Sequence, residues 1–430
     1  MNRLGKCVSY PVTQGLLTEL AFTSAKKSKD FPENLHKRSD LNLMVAFDNF
    51  DLFVSTPNGK DTMHETVEIG IQTIPASLEE QEIDQPLFED EFEEPSTTAI
   101  RKRRRRAFEA KDDELAPYPK KVTMSTTLLD LEDERRKVNA ATIESAALMD
   151  FWWLTCLFSE IPQTPMWVGW NSQRILSPQP KQKVVYLPQI DASPTRNDVV
   201  VETLERSKRM KEACNQKYMS VTYDLAIAMP ALKIQKAEGR KYQDLFIQLG
   251  TFHMVMSYFK GVGKFMAESG LPHILTESGV LAQGSLRGFL NGTNFNRNKR
   301  IHPLLAAALL KLHFKSFLKQ EHTMDAENLK QLLLTIKIEP GDESTVTKSL
   351  PSEIQELYEK YNSYRKLTLK GEHSATAQFC MIYVEMIDVY HHLSRAVRTG
   401  NLELYTHALT EMNKLYHLFG HQNYARWGVK

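Results

Sequence analysis

The clearest pattern of apolar and polar positions lies between residues 219 and 266, where short β-forming runs alternate with helical periodicity. The run MSVTY ends at Asp224, and AMPALKIQKA follows with Pro230 in the first turn of a helix, where a missing N–H costs nothing. LFIQL makes a second run ending at Gly250-Thr251-Phe252-His253, and MVMSYFKGVGKFM a second helix. Strand-like runs joined through a helix pair in parallel, so this segment predicts a βαβα unit.

Upstream, residues 11–22 read as an amphipathic helix. LNLMVAFDNFDLFV, a Pro57-Asn58-Gly59 turn and TVEIGIQTI then predict a short antiparallel sheet. From about Leu128 the pattern gives a helix through ESAALMDFWWLTCLF, a strand at KVVYL, and a charged helix from about Asp198 to Gln216. After Ser269 helical patterns recur at 301–319, 325–336, 351–366, 376–398 and 402–418, interrupted by the exposed loop IKIEPGDESTVTKSLPS. The expected fold is α/β, a mixed sheet interrupted by a linker and followed by an all-helical part. Its expected divisions are 1–74 (helix and first strands), 75–121 (linker), 122–268 (remainder of the α/β core) and 269–430 (helices, one of them a late core helix).

Composition changes this picture in one place. A net charge of +1 conceals nine carboxylates between residues 79 and 94, followed directly by the basic run Arg101, Lys102, Arg103, Arg104, Arg105 and Arg106. So polar a stretch has too little apolar surface to offset its ordering entropy, which predicts disorder for 75–121. The basic run matches a nuclear localisation signal and a nonspecific phosphate-binding tract, which implies a nuclear location, a nuclear import receptor and DNA as partners. Arg297, Lys299 and Arg300, with Arg287 upstream, form a second basic cluster for a nucleic-acid backbone, or an ordinary solvated surface. Four cysteines lie far apart without a Cys-x-x-Cys pair, so neither a disulfide framework nor a zinc finger is signalled. The amino terminus lacks a signal-peptide run and MDFWWLTCLF is too short to span a bilayer; a soluble intracellular chain without a membrane contact is expected.

Several residues stand where chemistry is usually placed. Asp224 sits at the carboxyl end of a parallel strand, where open α/β sheets bind ligands, although capping the next helix is the commoner use of such an Asp. His253 takes the same place one strand later, to orient a carboxylate or touch phosphate, or simply to close the strand with a hydrogen bond. FDNFD puts Asp48 and Asp51 directly after a strand, with His64 before the next; a turn is the plain account of both acids. Two-metal phosphoryl transfer needs carboxylates from different strands around cations roughly 3.5–4 Å apart, so Asp48 and Asp224 should approach each other within about 4–8 Å. A third acid should come from a later helix. Glu385 lies at the edge of the apolar stripe of Phe379, Ile382, Met386 and Val389, and Glu277 is the competitor; each is otherwise a surface acid. Asp48, Asp224 and Glu385 would then hold Mg²⁺, with His253 in support. His417 and His421, four apart, suit either a shared metal or a surface pair. Ile336-Lys337-Ile338-Glu339 has the apolar-Lys-x-Glu form of a sumoylation acceptor.

The order strand-Asp, helix, strand, aromatic-His, helix in VTYDLAIAMPALKIQ and LFIQLGTFHMVMSYF is similar to the second-aspartate region of Mutator-like and related cut-and-paste transposases. That resemblance implies a ribonuclease-H-like sheet with one Asp from the first strand, one after the fourth and a Glu from a later helix. The long helical tail resembles the hAT layout, which inserts helices before that Glu. More closely, LGKCVSY, VAFDNFD with TMHETV, RKRRRR, LGTFH, ILTESGV, FNRNKRIHPLL and NYARW resemble uncharacterised proteins encoded by mobile elements in animal genomes. The resemblance implies metal-dependent DNA cleavage or strand transfer through Asp48, Asp224 and Glu385. The chain ends at NYARWGVK where similar proteins continue, and no zinc-finger or helix-turn-helix module is recognisable. A non-catalytic nuclear protein that keeps the fold and binds nucleic acid or a partner is therefore the competing expectation.

Overall fold

A computed structural model describes residues 31–32, 35–53, 62–75, 115–120, 140–176, 180–190, 192–321 and 325–428. The helix expected at 11–22, the Pro57-Asn58-Gly59 turn and the basic run 101–106 lie outside them. The chain divides into two compact units, one of residues 1–126 with 180–250, the other of 127–179 with 251–430. The division expected after residue 268 thus falls at Gly250, and the helix at 140–158 belongs with the later helices rather than with the sheet.

The first unit is a five-stranded mixed sheet of order β3-β2-β1-β4-β5. β1 (Leu43–Phe53) and β2 (Thr62–Ile74) pair antiparallel, as do β2 and β3 (Lys181–Ile190). β4 (Met219–Tyr223) and β5 (Leu245–Leu249) run parallel to β1. Crossover to a parallel strand requires an intervening helix. α3 (Asn197–Ala213) precedes β4, and α4 (Leu225–Glu238) joins β4 to β5. Both bury residues three and four apart, Val200, Thr203, Leu204 and Ser207 on α3 and Ile227, Ala231 and Ile234 on α4. They pack with Leu43, Val45, Phe47, Val221 and Tyr223 in one core.

β2 departs from the simple rule that its apolar residues face the core. Thr66, Glu68 and Gln72 are buried there, while Val67, Ile69 and Ile71 are half-buried on the opposite face. Specific bonds make this tolerable. Gln72 exchanges hydrogen bonds with the backbone of His36, at 2.8 and 2.7 Å, and the Thr66 hydroxyl donates to Ala192 O at 3.0 Å. Residues 115–120, expected within the disordered linker, are held in place: the Tyr118 hydroxyl donates to Glu238 at 2.8 Å and Leu115 packs beside Ile190 and Val199.

The second unit is helical. Its first elements are α1 (Ala140–Phe158) and α2 (Trp167–Arg174). After Gly250 come α5 (Thr251–Met266), α6 (Leu271–Glu277), α7 (Leu286–Leu290), α8 (Phe295–Glu321) and α9 (Ala326–Thr335). α10 (Glu343–Lys348), α11 (Ser352–Leu369), α12 (Ala375–Thr399), α13 (Leu402–Phe419) and α14 (Gln422–Trp427) complete it. α1 is buried nearly all round through Met149 and the run from Phe151 to Cys156, as befits a central helix. α12 starts on Ser374, whose hydroxyl accepts from Ala377 N, and stops at Gly400, whose φ of 67° suits glycine. By length and composition α8 is long and apolar enough to cross a membrane, yet half of that stretch is buried among helices. It carries His302 and His313 inside, bonded to Tyr383 Oη at 2.8 Å and to Tyr361 Oη and Thr368 Oγ1 at 3.0 and 2.8 Å.

Candidate functional site

Leu43, Val45 and Phe47 of β1 and Met219, Val221 and Tyr223 of β4 are buried in the helix-covered core. Side chains alternate along a strand, so Met44, Ala46 and Asp48, and likewise Ser220, Thr222 and Asp224, share the other face. The parallel register pairs Met44 with Ser220 and Ala46 with Thr222, and ends at Phe47 with Tyr223. Asp48 and Asp224 are each the residue that follows this last pair. Asp224 is still extended, at φ −68° and ψ 168°.

Asp224 caps α4, its Oδ1 accepting from Ile227 N at 2.9 Å. The commoner use of such an Asp is therefore realised, on one of two carboxylate oxygens. Asp48 does not follow a strand as expected: β1 continues to Phe53, so Asp48 and Asp51 lie within it, paired with Val67 and His64. Strand residues fix a side chain's direction more firmly than a turn does. Beside the two acids, Gln248 of β5 donates to Thr222 Oγ1 at 2.8 Å.

The opposite face holds a titratable group that the pattern of the sequence does not single out. Glu68 is 3 % exposed, and burial raises its carboxyl to about 7, with Arg206 opposing and Glu202 adding to the shift. Arg206 Nη1 stands 3.3 Å from it, and Arg206 Nε lies 3.1 Å from Glu202. In TVEIGIQTI only the alternation of polar residues at 66, 68 and 72 hinted at such a face.

His253 does not close β5. The strand stops at Leu249, and His253 stands in the first turn of α5, its ring edge-on to Phe252 at 5.1 Å. The reason is local: Gly250 follows the strand directly and helical geometry begins at Thr251.

Glu385 is not turned into the core either. Its side chain is 47 % exposed, and its carboxylate meets Arg365 Nη2 of α11 at 2.7 Å. The buried residues of α12 include Met381, Tyr383, Val384 and Ile387 together with Met386 of the expected stripe, whose Phe379, Ile382 and Val389 pack half-buried against the same core. Burial pushes the Glu385 carboxyl up, with Arg365 opposing. Burial also acts on Asp388, yet Arg365 and His391 hold its carboxyl well below the usual range. These groups line a cavity of about 190 Å³ together with Asp150, Trp167 and Tyr361. His391, 2 % exposed, stacks on Trp167 at 4.2 Å with Nδ1 3.8 Å from Asp388, and its Nε2 has no hydrogen-bond partner. Behind it Arg395 is fully buried, pairing with Asp150 and with Glu343 at 3.0 Å and donating to Asn171 Oδ1 and Ala146 O, both at 2.9 Å.

Glu277 is exposed and pairs with His273 at 3.1 Å. His421 Nδ1 bonds to Ser257 Oγ at 2.7 Å, while His417 is exposed. Lys299 and Arg300 are exposed near the start of α8, Lys299 lying over the Phe295 ring, and Arg297 is half-buried. Among the described residues no group of three or more His, Cys, Asp or Glu side chains gathers to hold a metal ion. The α/β unit thus offers one carboxylate inside β1 and one directly after the neighbouring β4.

Residues 166–429 match the model of a family described as a domain of unknown function (DUF8702). The chain belongs to that family. The matched stretch starts at Met166, so it includes Asp224, His253 and Glu385 and leaves Asp48 outside. No curated protein and no solved structure matches the chain.

Proposed function

We propose that the α/β unit is a ribonuclease-H-like core of transposase type, which holds Mg²⁺ through Asp48 and Asp224 and cleaves or joins DNA phosphodiesters. The observation that carries this reading is the parallel register of β1 with β4, whose last pair, Phe47 with Tyr223, comes one residue before each acid. The mixed sheet, with β4 parallel to the first strand and Asp224 directly after that fourth strand, supports it. Hard carboxylate oxygens suit Mg²⁺, which is usually held by one or two carboxylates with water and phosphate filling its shell. Bound there, the ion would supply charge for the attacking and leaving oxygens of an in-line displacement. The chain's own part is to fix the two carboxylates: Asp48 by its place inside a strand paired on both sides, Asp224 by the cap on α4. Exposed Lys299 and Arg300 are proposed to meet the DNA backbone. The basic run at 101–106 is proposed to meet DNA or an import receptor, and a nuclear location is proposed with it.

A second reading, a non-catalytic nuclear protein that keeps this fold and binds nucleic acid or a partner, is favoured by Glu385, whose carboxylate is committed to Arg365. Plasmid nicking by the full-length chain in Mg²⁺, with Mn²⁺ binding followed by calorimetry, separates the two. Asp48→Asn and Asp224→Asn should each abolish nicking and weaken Mn²⁺ binding by roughly tenfold or more, through loss of one hard charged ligand. Asn caps a helix as well as Asp does, so Asp224→Asn keeps α4. A native chain that neither nicks DNA nor binds Mn²⁺ leaves the second reading.

A further inference from the structure

The segment between α9 and α10 is irregular but not loose. Ile336 leaves α9 extended, at φ −73° and ψ 112°. Along the next residues the side chains alternate: Ile336 and Ile338 are half-buried against the helical core, while Lys337 and Glu339 are exposed. Arg174 Nη1 donates to Ile338 O at 3.3 Å, Gly341 N donates to Arg174 O at 3.1 Å, and Leu176 N donates to Gly341 O at 2.9 Å. A parallel bridge joins Ile175 to Gly341. The end of α2 therefore holds the segment straight, with its polar side chains pointing away from the core. Asp342, exposed, adds a further negative charge just beyond.

We propose that Lys337 is an acceptor for a small ubiquitin-like modifier, delivered by a conjugating enzyme that carries the modifier as a C-terminal glycine thioester. Enzymes that read short motifs bind them extended, and a segment already held so loses less conformational freedom on docking. Here the apolar-Lys-x-Glu order coincides with an exposed lysine, with an exposed carboxylate two residues on along the same edge, and with an isoleucine half open to contact. In the reaction the unprotonated Lys337 Nζ attacks the thioester carbonyl. The isopeptide C–N bond forms, the C–S bond breaks, and the enzyme's cysteine leaves as a thiol with the proton lost by the amine.

The test uses the folded full-length chain with purified activating and conjugating enzymes, the modifier and ATP, with site mapping by peptide mass spectrometry. One principal conjugate at Lys337 is expected, absent in Lys337→Arg and reduced by roughly tenfold in Glu339→Gln, the worth of one charge-assisted contact. Tryptophan emission should be the same in both variants, since both side chains are exposed. A conjugate that persists in Lys337→Arg, or no conjugate while a control substrate is modified in the same mixture, overturns the proposal. So does modification of the urea-unfolded chain alone.

Discussion

Replacing Glu68 with glutamine should make the α/β unit more stable above neutral pH and remove much of its pH dependence. Glu68 is buried on the covered face of β2, and burial outweighs Arg206 in raising its carboxyl from the ordinary 4.5 to about 7. A raised carboxyl binds its proton more tightly folded than unfolded. Its contribution is therefore greatest below pH 4.5 and is lost as pH rises through about 7. At about 1.4 kcal/mol for each tenfold change in proton affinity, the gap corresponds to on the order of 3 kcal/mol. Glutamine keeps the shape and sheds the charge, and Arg206 retains Glu202 at 3.1 Å. Exchanging a buried ion pair for neutral groups is often neutral or stabilising. The assay is a brief methanethiosulfonate pulse across a urea series at pH 5 and pH 8, reading Cys214, which is fully buried in this unit's core. The native chain should unfold at lower urea at pH 8 than at pH 5, and Glu68→Gln should narrow the difference. A variant that is less stable than the native chain at pH 8 refutes the reasoning, because the pair with Arg206 would then outweigh the burial of the charge.

Other perturbations fall on the helical unit, whose unfolding tryptophan emission reports because all five tryptophans lie in its part of the chain. Arg395→Met strands the Asp150 and Glu343 carboxylates and should cost about 3–5 kcal/mol, read as a lower urea midpoint; an unchanged midpoint counts against the network. Gly263→Ala puts a methyl inside the Leu290 carbonyl, so α5 and α7 must part, at a cost of about 1–3 kcal/mol visible as a lower thermal midpoint. Burial lowers His302 to about 3 and His313 to about 4 from 6.5, so both are neutral when folded. The stability this withholds is present above pH 6.5 and is lost as pH falls towards those values, by about 2 kcal/mol for each histidine at pH 5. A urea midpoint unchanged between pH 7 and pH 5 would contradict both assignments.

The elements that sequence pattern revealed best are those whose own periodicity decides them. β4 and β5 coincide with the expected MSVTY and LFIQL, and α11, α12 and α13 lie close to the expected 351–366, 376–398 and 402–418, whereas α4 begins three residues before AMPALKIQKA, on the Asp224 cap, so that Pro230 lies inside the helix rather than in its first turn. Short helices such as α6 and α10 escaped because six or seven residues hold too few turns to show a stripe. β2 misleads a polarity rule because side-chain bonds to His36, Ala192 and Arg206 make the polar face the buried one. That β1 and β4 pair in parallel up to Phe47 and Tyr223 depends on strand register, which rests on pairings more than 170 positions apart and is invisible to local pattern. Glu385 was misplaced because its partner, Arg365, belongs to another helix, and no stripe on α12 alone announces it.

The cap that Asp224 makes on α4 has an evolutionary consequence. Serine, threonine and asparagine close a helix nearly as well as aspartate. Drift at this position in lineages that need only the fold should therefore wander among those four residues. Strict retention of aspartate, where asparagine would serve the helix equally, would record selection for negative charge, and with it for chemistry. A column of related sequences at this one site is thus a historical assay that separates working copies from architectural survivors.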